Sequence, residues 1–217
     1  MTAEIKFCGL TRPEDAEFAA ELGAAYVGVI FAGGPRLLTL ERAMEVLAGV
    51  PRIVRRVGVF ADQTADEIAR AADWLQLDVV QLHGSATPER IAAIRRDFSG
   101  SVWPVCRVSD RTLPASARDG YTVGDGLLLD AFVPGTLGGT GTPLPWFDLV
   151  RDVAALRVHR KPIILAGGLR AENVASAIVA LAPDVVDVSS GVESAPGIKD
   201  HARMRAFRDA VKASIPI

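Results

Sequence analysis

A carboxyl group directly after three leucines is the residue of this chain that most demands a chemical explanation. Asp130 closes the run Leu127-Leu-Leu-Asp130. A carboxylate carried there must leave the core, find a partner or do work, because burying it unpaired is expensive. Cys8, in Lys6-Phe-Cys-Gly-Leu-Thr11, is a second candidate. Free cysteines are mostly small core residues, and Cys106, inside the run Val102–Val108, takes that plainer reading. A thiol and a carboxyl flanking a small substrate could serve as base and acid in one proton relocation. His83, in Gln81-Leu-His-Gly84, is either a third titrating group or a satisfied structural imidazole. Arg36 could clamp a carboxylate bidentately, although a solvated loop cation is the simpler reading of Phe31-Ala-Gly-Gly-Pro-Arg36 taken alone. Asp187, in Val186-Asp-Val188, is an acid inside an apolar strand and reads as a hydrogen-bond acceptor.

Three further segments suit an anion. Gly138-Gly-Thr-Gly141, Gly167-Gly-Leu169 and Ser189-Ser-Gly191 each offer backbone N–H groups unobstructed by large side chains. Singly, each could be no more than a tight turn. Together at neighbouring strand ends they favour a phosphate cradle built from Gly139, Thr140, Gly141, Gly167, Gly168, Ser189, Ser190 and Gly191.

The elements that must position these residues follow from hydrophobic periodicity. Compact aliphatic runs predict eight strands: Ile5–Cys8, Tyr26–Phe31, Val54–Phe60, Val79–Leu82, Val102–Val108, Gly126–Asp130, Ile163–Ala166 and Val185–Ser189. Helix-period segments lie between most of them. Thr11 and Thr87 each place a capping hydroxyl close before a proline, and Thr64-Ala-Asp-Glu67 reads as a capping box. The weakest helix is expected around Leu113 to Ala117. Continuously apolar strands separated by helices mean a parallel sheet covered by helices. An open doubly wound sheet is one closure. The count favours the other, a single-domain (β/α)8 TIM barrel with a parallel eight-stranded core over 1–217, at about 27 residues per unit. Cys8, Arg36, His83, Asp130, the Gly167 segment and the Ser189 segment then all fall at the C-terminal strand ends, where active sites of this fold sit. The long Gly/Pro/Thr-rich connection from Ala131 to Pro145 reads as a lid or binding loop.

Composition removes several function classes. The 217 residues are 49% hydrophobic and 23% charged, which is ordinary for a globular protein. Lys+Arg 24 against Asp+Glu 26 gives a net charge of -2, so no basic face for nucleic acid is expected. No apolar run approaches the roughly 18 residues of a membrane span, and the first residues lack a signal-peptide layout. Two cysteines are too few for a disulfide scaffold or a cysteine-only metal site. The expectation is a cytoplasmic, metal-independent protein, a monomer or homodimer, that handles a small phosphorylated molecule.

Taken in order, Lys6-Phe-Cys-Gly-Leu-Thr11, Gln81-Leu-His-Gly84, Leu127-Leu-Leu-Asp130, Gly138-Gly-Thr-Gly141, Val186-Asp-Val-Ser-Ser-Gly-Val-Glu193 and Pro196-Gly-Ile-Lys-Asp200 resemble the phosphoribosylanthranilate isomerase family of tryptophan biosynthesis. The resemblance runs from Ile5 to about Asp200. It implies an Amadori rearrangement of N-(5-phosphoribosyl)anthranilate to 1-(2-carboxyphenylamino)-1-deoxyribulose 5-phosphate, with no cofactor, because the anthranilate nitrogen is the electron sink. It assigns the general base to Cys8, the general acid to Asp130, carboxylate recognition to Arg36 and a place near the sugar hydroxyls to Asp187. The chemistry asks for a depressed thiol pKa or a neighbouring donor at Cys8, and for an Asp130 that stays protonated. Phe7 is larger than the residue usual before the cysteine, and Ala32-Gly-Gly-Pro35 is richer in glycine. The alternatives are the related histidine-pathway sugar isomerase and a non-catalytic phosphosugar-binding barrel. The strand-one cysteine argues against the first, and the joint presence of Cys8 and Asp130 argues against the second.

Overall fold

The aliphatic runs pair side by side, in chain order, into a closed parallel barrel in a computed structural model that describes residues 3–131 and 144–214. The strands are β1 Glu4–Phe7, β2 Tyr26–Ile30, β3 Arg55–Phe60, β4 Val79–Leu82, β5 Ser101–Val108, β6 Leu127–Ala131, β7 Ile163–Leu165 and β8 Val185–Val188. The eighth returns to the first, with Lys6 opposite Asp187 and Phe7 opposite Val188. Among the described residues the α-helices are α1 Pro13–Glu21, α2 Leu40–Leu47, α3 Ala65–Leu75, α4 Pro88–Ile94, α5 Ala115–Val123, α6 Val150–Leu156, α7 Val174–Leu181 and α8 His201–Ala213.

Strand side chains alternate between two environments. Outward residues, Phe7 and Cys106 among them, join the layer packed under the helices, and the Phe7 ring meets Phe207 of α8 edge-on at 6.2 Å. Inward residues (Tyr26, Val57, Val79, Trp103, Leu128, Ile164 and Val185) form a separate apolar plug. Beside and above it the interior also holds polar side chains: Lys6, paired with Tyr26, Gln81, paired with Trp103, and Asp187 are all buried. The barrel is thus closed at its lower end and chemically equipped at its upper end.

Thr64 makes the expected capping box, accepting from the Glu67 amide while the Glu67 carboxylate accepts from the Thr64 amide. Thr39, Thr87 and Asp200 cap α2, α4 and α8. Thr11 does not cap α1. Arg12 holds the cap position without a side-chain bond, because the Thr11 hydroxyl is drawn away to donate to the Gly197 carbonyl. That carbonyl belongs to a hairpin absent from the sequence expectations, β9 Glu193–Ala195 with β10 Ile198–Lys199. Two such short strands leave too little pattern to be read as strands.

Helix C-termini are closed from outside. Among the described helices only α8 carries a basic residue in its last turn. Instead Arg56 of β3 donates to Leu47 O and Val50 O after α2 and to Leu75 O of α3, at 3.1, 3.3 and 3.1 Å. Lys161 donates to Tyr121 O, Thr122 O and Gly124 O at the end of α5, and Arg157 donates to Leu181 O and Ala182 O beyond α7. These cations satisfy carbonyls that the helices themselves cannot. No described helix is long and apolar enough to cross a membrane.

Candidate active site

A cavity of about 400 Å³ opens at the C-terminal strand ends. Cys8, Arg36, His83, Asp130 and Asp187 all line it, together with Gly167, Gly168, Ser189, Ser190 and Gly191. Period-two alternation explains the convergence: Lys6 and Cys8 share the inner face of β1, as Gln81 and His83 share that of β4 and Asp187 and Ser189 that of β8. The segment 132–143, which contains Gly139, Thr140, Gly141 and most of the long connection, lies outside the described residues.

Asp130 is buried at the end of β6, facing His83, whose Nε2 lies 3.7 Å from its Oδ2. Burial, with the Asp187 charge second, pushes the Asp130 carboxyl up to about 6. Burial, with the Arg107 and Lys6 charges, brings His83 down to about 4. The imidazole is therefore neutral at physiological pH. Its Nε2 is buried without a hydrogen-bond partner among the described residues, as are Asp187 Oδ1 and Ser189 Oγ. Buried polar atoms left open in a cavity wall are where ligand groups find partners.

Cys8 sits across the mouth on β1, only 5% exposed. Burial raises its pKa; the Lys6 and Lys199 ammonium groups act the other way, and Asp187 adds to the rise. The thiol pKa is thus raised rather than depressed, but neighbouring donors are in place. Lys6, fully buried, donates to Asp187 Oδ2 at 2.8 Å and Gln81 Oε1 at 3.0 Å. Gly28 makes room for the pair: a Cβ there would come within 2.9 Å of Cys8 Sγ and 3.4 Å of Lys6 Cε.

Arg36 is not a solvated loop cation. Its guanidinium is buried and held bidentately by Glu193, Nε on Oε1 at 2.7 Å and Nη2 on Oε2 at 2.6 Å. Glu193 in turn accepts from Lys199 Nζ at 2.8 Å. The same ammonium donates to Cys8 O at 2.7 Å and Ser189 O at 3.1 Å. The β9–β10 hairpin therefore ties the arginine to the backbone of the thiol. After β7 the chain turns through Gly167 and Gly168 at φ +83 and +61, conformations that L side chains rarely adopt. Asn173 pins that turn by donating to Gly168 O at 2.9 Å and accepting from Arg170 N at 2.8 Å.

Lys6, Gln81, Glu193 and Lys199 were not singled out from sequence. For Lys6 a signal existed: a lysine two residues before Cys8 in an apolar strand is as anomalous as Asp130. For Glu193 and Lys199 none did, since their roles depend on the hairpin.

A closed eight-stranded barrel with a thiol, a carboxyl raised towards neutrality and glycine-rich turns at its mouth has the layout of a (β/α)8-barrel enzyme working by proton transfer. Residues 5–210 match the family model described as N-(5'-phosphoribosyl)anthranilate (PRA) isomerase. The N-(5'-phosphoribosyl)anthranilate isomerase of Acidithiobacillus ferrooxidans is 43% identical over 97% of this chain and 98% of its own. That of Pseudomonas fluorescens is 40% identical over 95% and 97%. The crystal structure of phosphoribosyl anthranilate isomerase from Thermotoga maritima superposes with a TM-score of 0.85 at 34% identity, covering 97% of this chain and 99% of that one. The chain belongs to the N-(5'-phosphoribosyl)anthranilate isomerase family. It is an isomerase of tryptophan biosynthesis, of the aldose–ketose type.

Proposed function

We propose that the cavity converts N-(5-phosphoribosyl)anthranilate to 1-(2-carboxyphenylamino)-1-deoxyribulose 5-phosphate with Asp130 as acid and Cys8 as base. Asp130 protonates the furanose ring oxygen and the C1–O bond breaks, leaving a Schiff base on the anthranilate nitrogen. The Cys8 thiolate then removes the proton from C2, and the resulting enolamine tautomerises to the ketone. Arg36 receives the anthranilate carboxylate on the guanidinium edge that Glu193 leaves open. Asp187 Oδ1 accepts a sugar hydroxyl, His83 faces the ring as a neutral donor or acceptor, and the Gly167–Gly168 and Ser189–Gly191 amides take the phosphate, with Gly139, Thr140 and Gly141 completing the cradle.

The observation that carries this reading is the placement of an acid with a pKa near 6 and a thiol among cations on opposite walls of one cavity. A related crystal structure, of phosphoribosyl anthranilate isomerase with reduced 1-(o-carboxyphenylamino)-1-deoxyribulose 5-phosphate bound, has a TM-score of 0.82 at 33% identity. It supports a ligand of that size in this fold. The same reading expects a cytoplasmic enzyme, either a monomer or a homodimer; the Thermotoga maritima protein is described as dimeric, and light scattering on the purified chain decides the point here.

The test is growth. The gene restores a tryptophan auxotroph lacking this isomerase and not a histidine auxotroph lacking the corresponding step; the reverse pattern overturns the substrate. Asp130→Asn and Cys8→Ala each lower turnover by about three orders of magnitude or more, with product-analogue affinity within a few-fold of the parent. Parent-like turnover in either variant overturns the assignment of roles.

A further inference from the structure

We propose that Lys6 is a positioning residue for the rearrangement: held beneath the cavity by Asp187 and Gln81, which line it, its ammonium supplies the positive charge that makes the Cys8 thiolate attainable. The inference rests on Cys8 being the base.

Lysine is almost never fully buried unless paired, yet Lys6 is 0% exposed. The plain explanation is a structural ion pair with Asp187. That explanation does not say why the pair stands beneath the cavity. A buried ion pair adds little stability over an apolar pair of the same volume, and the register partner of Lys6 on β2, Tyr26, belongs to the apolar cluster of the interior. Lys6 also shares the inner face of β1 with Cys8, and the two side chains press against the same glycine, Gly28.

The charges around the thiol point the same way. Lys6 faces it from β1, Asp187 from β8, Lys199 from β10 and Arg36 from the segment after β2. Glu193 is shared between Arg36 and Lys199, and Asp187 is bonded to Lys6. Among the groups acting on the thiol, three buried cations thus face two buried carboxylates, Glu193 and Asp187. Arg36 and Lys199 are both engaged with Glu193, and Lys199 also with the backbone of Cys8 and Ser189. Lys6 is the cation whose own carboxylate partner also faces the substrate space, through the open Oδ1 of Asp187. Among the charges acting on Cys8, Lys6 exerts the largest effect, opposing the rise due to burial. Two hydrogen bonds hold the ammonium in place, so little reorganisation is needed when the thiolate forms. Lys6 does not itself exchange a proton with substrate in this scheme.

The experiment reads the thiol directly. Iodoacetamide alkylation of Cys8 is followed against pH and resolved from Cys106 by mass spectrometry. In Lys6→Met the midpoint moves up by at least one unit, so alkylation at pH 7 slows about tenfold or more. kcat falls by a similar or larger factor, while KM changes only a few-fold. Lys6→Arg, which keeps the charge, recovers part of the loss. Asp187→Asn, which removes the opposing carboxylate with almost no change of shape, moves the midpoint down, and it decides the matter if Lys6→Met does not fold. A midpoint unmoved or lowered in folded Lys6→Met, or unmoved or raised in Asp187→Asn, overturns the proposal. Cys8→Ala separates the two failures: if it retains turnover the base assignment is wrong, whereas if it is inactive and the midpoints do not move, Lys6 alone has been misread.

Discussion

At the scale of single residues, the site works by placing similar groups in dissimilar surroundings. Asp130 and Asp187 are both buried carboxyls at the barrel mouth, but one faces a neutral imidazole and the other a lysine 2.8 Å away. Burial and the second carboxylate push Asp130 to about 6. Below that pH it is the protonated acid the reaction needs, so the acid-catalysed half of the rate declines as pH rises through about 6 in the free enzyme. Asp130→Asn should remove that limb from the pH profile of any residual activity. His83 supplies a complementary check. Its folded pKa of about 4 lies below the unfolded 6.5, so the stability it contributes is present above about 6.5 and is lost as pH falls towards 4. NMR of the ring should show no imidazolium forming between pH 8 and 5.5; a midpoint near 6.5 would contradict the buried environment described here. Gly28→Ala is expected to keep the fold but lower turnover at least tenfold, because the new methyl presses on Cys8 Sγ; an activity assay beside a thermal melt checks both halves. Asp130 stood out in the sequence because a carboxyl after three leucines is chemically out of place, whereas Cys8 and Arg36 drew their roles from the family resemblance. The burial of Arg36 against Glu193 was not legible, since nothing near it in the chain reveals a partner 157 positions away.

At the scale of elements, legibility followed the length of the pattern. All eight barrel strands were readable from compact, largely apolar runs of four or more residues, and their ends agree with the structure to within one residue. Thr64 and Thr87 were readable as caps because their partners lie three residues on. Thr11 was misread because its partner, Gly197, lies in a hairpin of five strand residues, far below the length at which periodicity speaks. That hairpin deserves a direct test, since it carries both Glu193 and Lys199. Glu193→Ala should release Arg36 and raise KM for the carboxylate-bearing substrate about tenfold or more, with a smaller effect on kcat; an unchanged KM would show that Arg36 is held in place by other means. The cross-caps are similarly testable. Arg56→Met removes a donor from three carbonyls at the ends of α2 and α3, of which Leu47 O keeps the Val50 amide, and should destabilise the fold by about 1 to 3 kcal/mol in urea unfolding, leaving the site chemistry intact.

At the scale of the whole molecule, the barrel interior divides stability from activity between two sets of side chains. The apolar plug is stability: Trp103, fully buried and meeting Tyr26 edge-on at 5.0 Å, should cost about 3 to 5 kcal/mol when truncated to alanine, with kcat of the folded fraction little changed. The buried polar side chains Lys6, Gln81, Asp130 and Asp187 are chemistry, and they are spread over strands one, four, six and eight. That spread is why fold class was legible as a repeating pattern, whereas the site was legible only in part. Closing a barrel brings together residues whose relation has no trace along the chain.

The outside closure of helix ends has a consequence for how such a chain can be cut and recombined. The carbonyls that end α2, α3, α5 and α7 are satisfied by Arg56, Lys161 and Arg157, none of which belongs to the helix it serves, and Arg56 comes from β3, immediately downstream of α2. A strand with its following helix is the repeat that meets the eye, but in this chain it is not always self-sufficient. A fragment ending after α2 leaves bare carbonyls, and one carried through β3 does not. For building half-barrels, chimaeras or circular permutants from this protein, the natural breakpoint there falls after the strand that carries the cation, not in the loop before it.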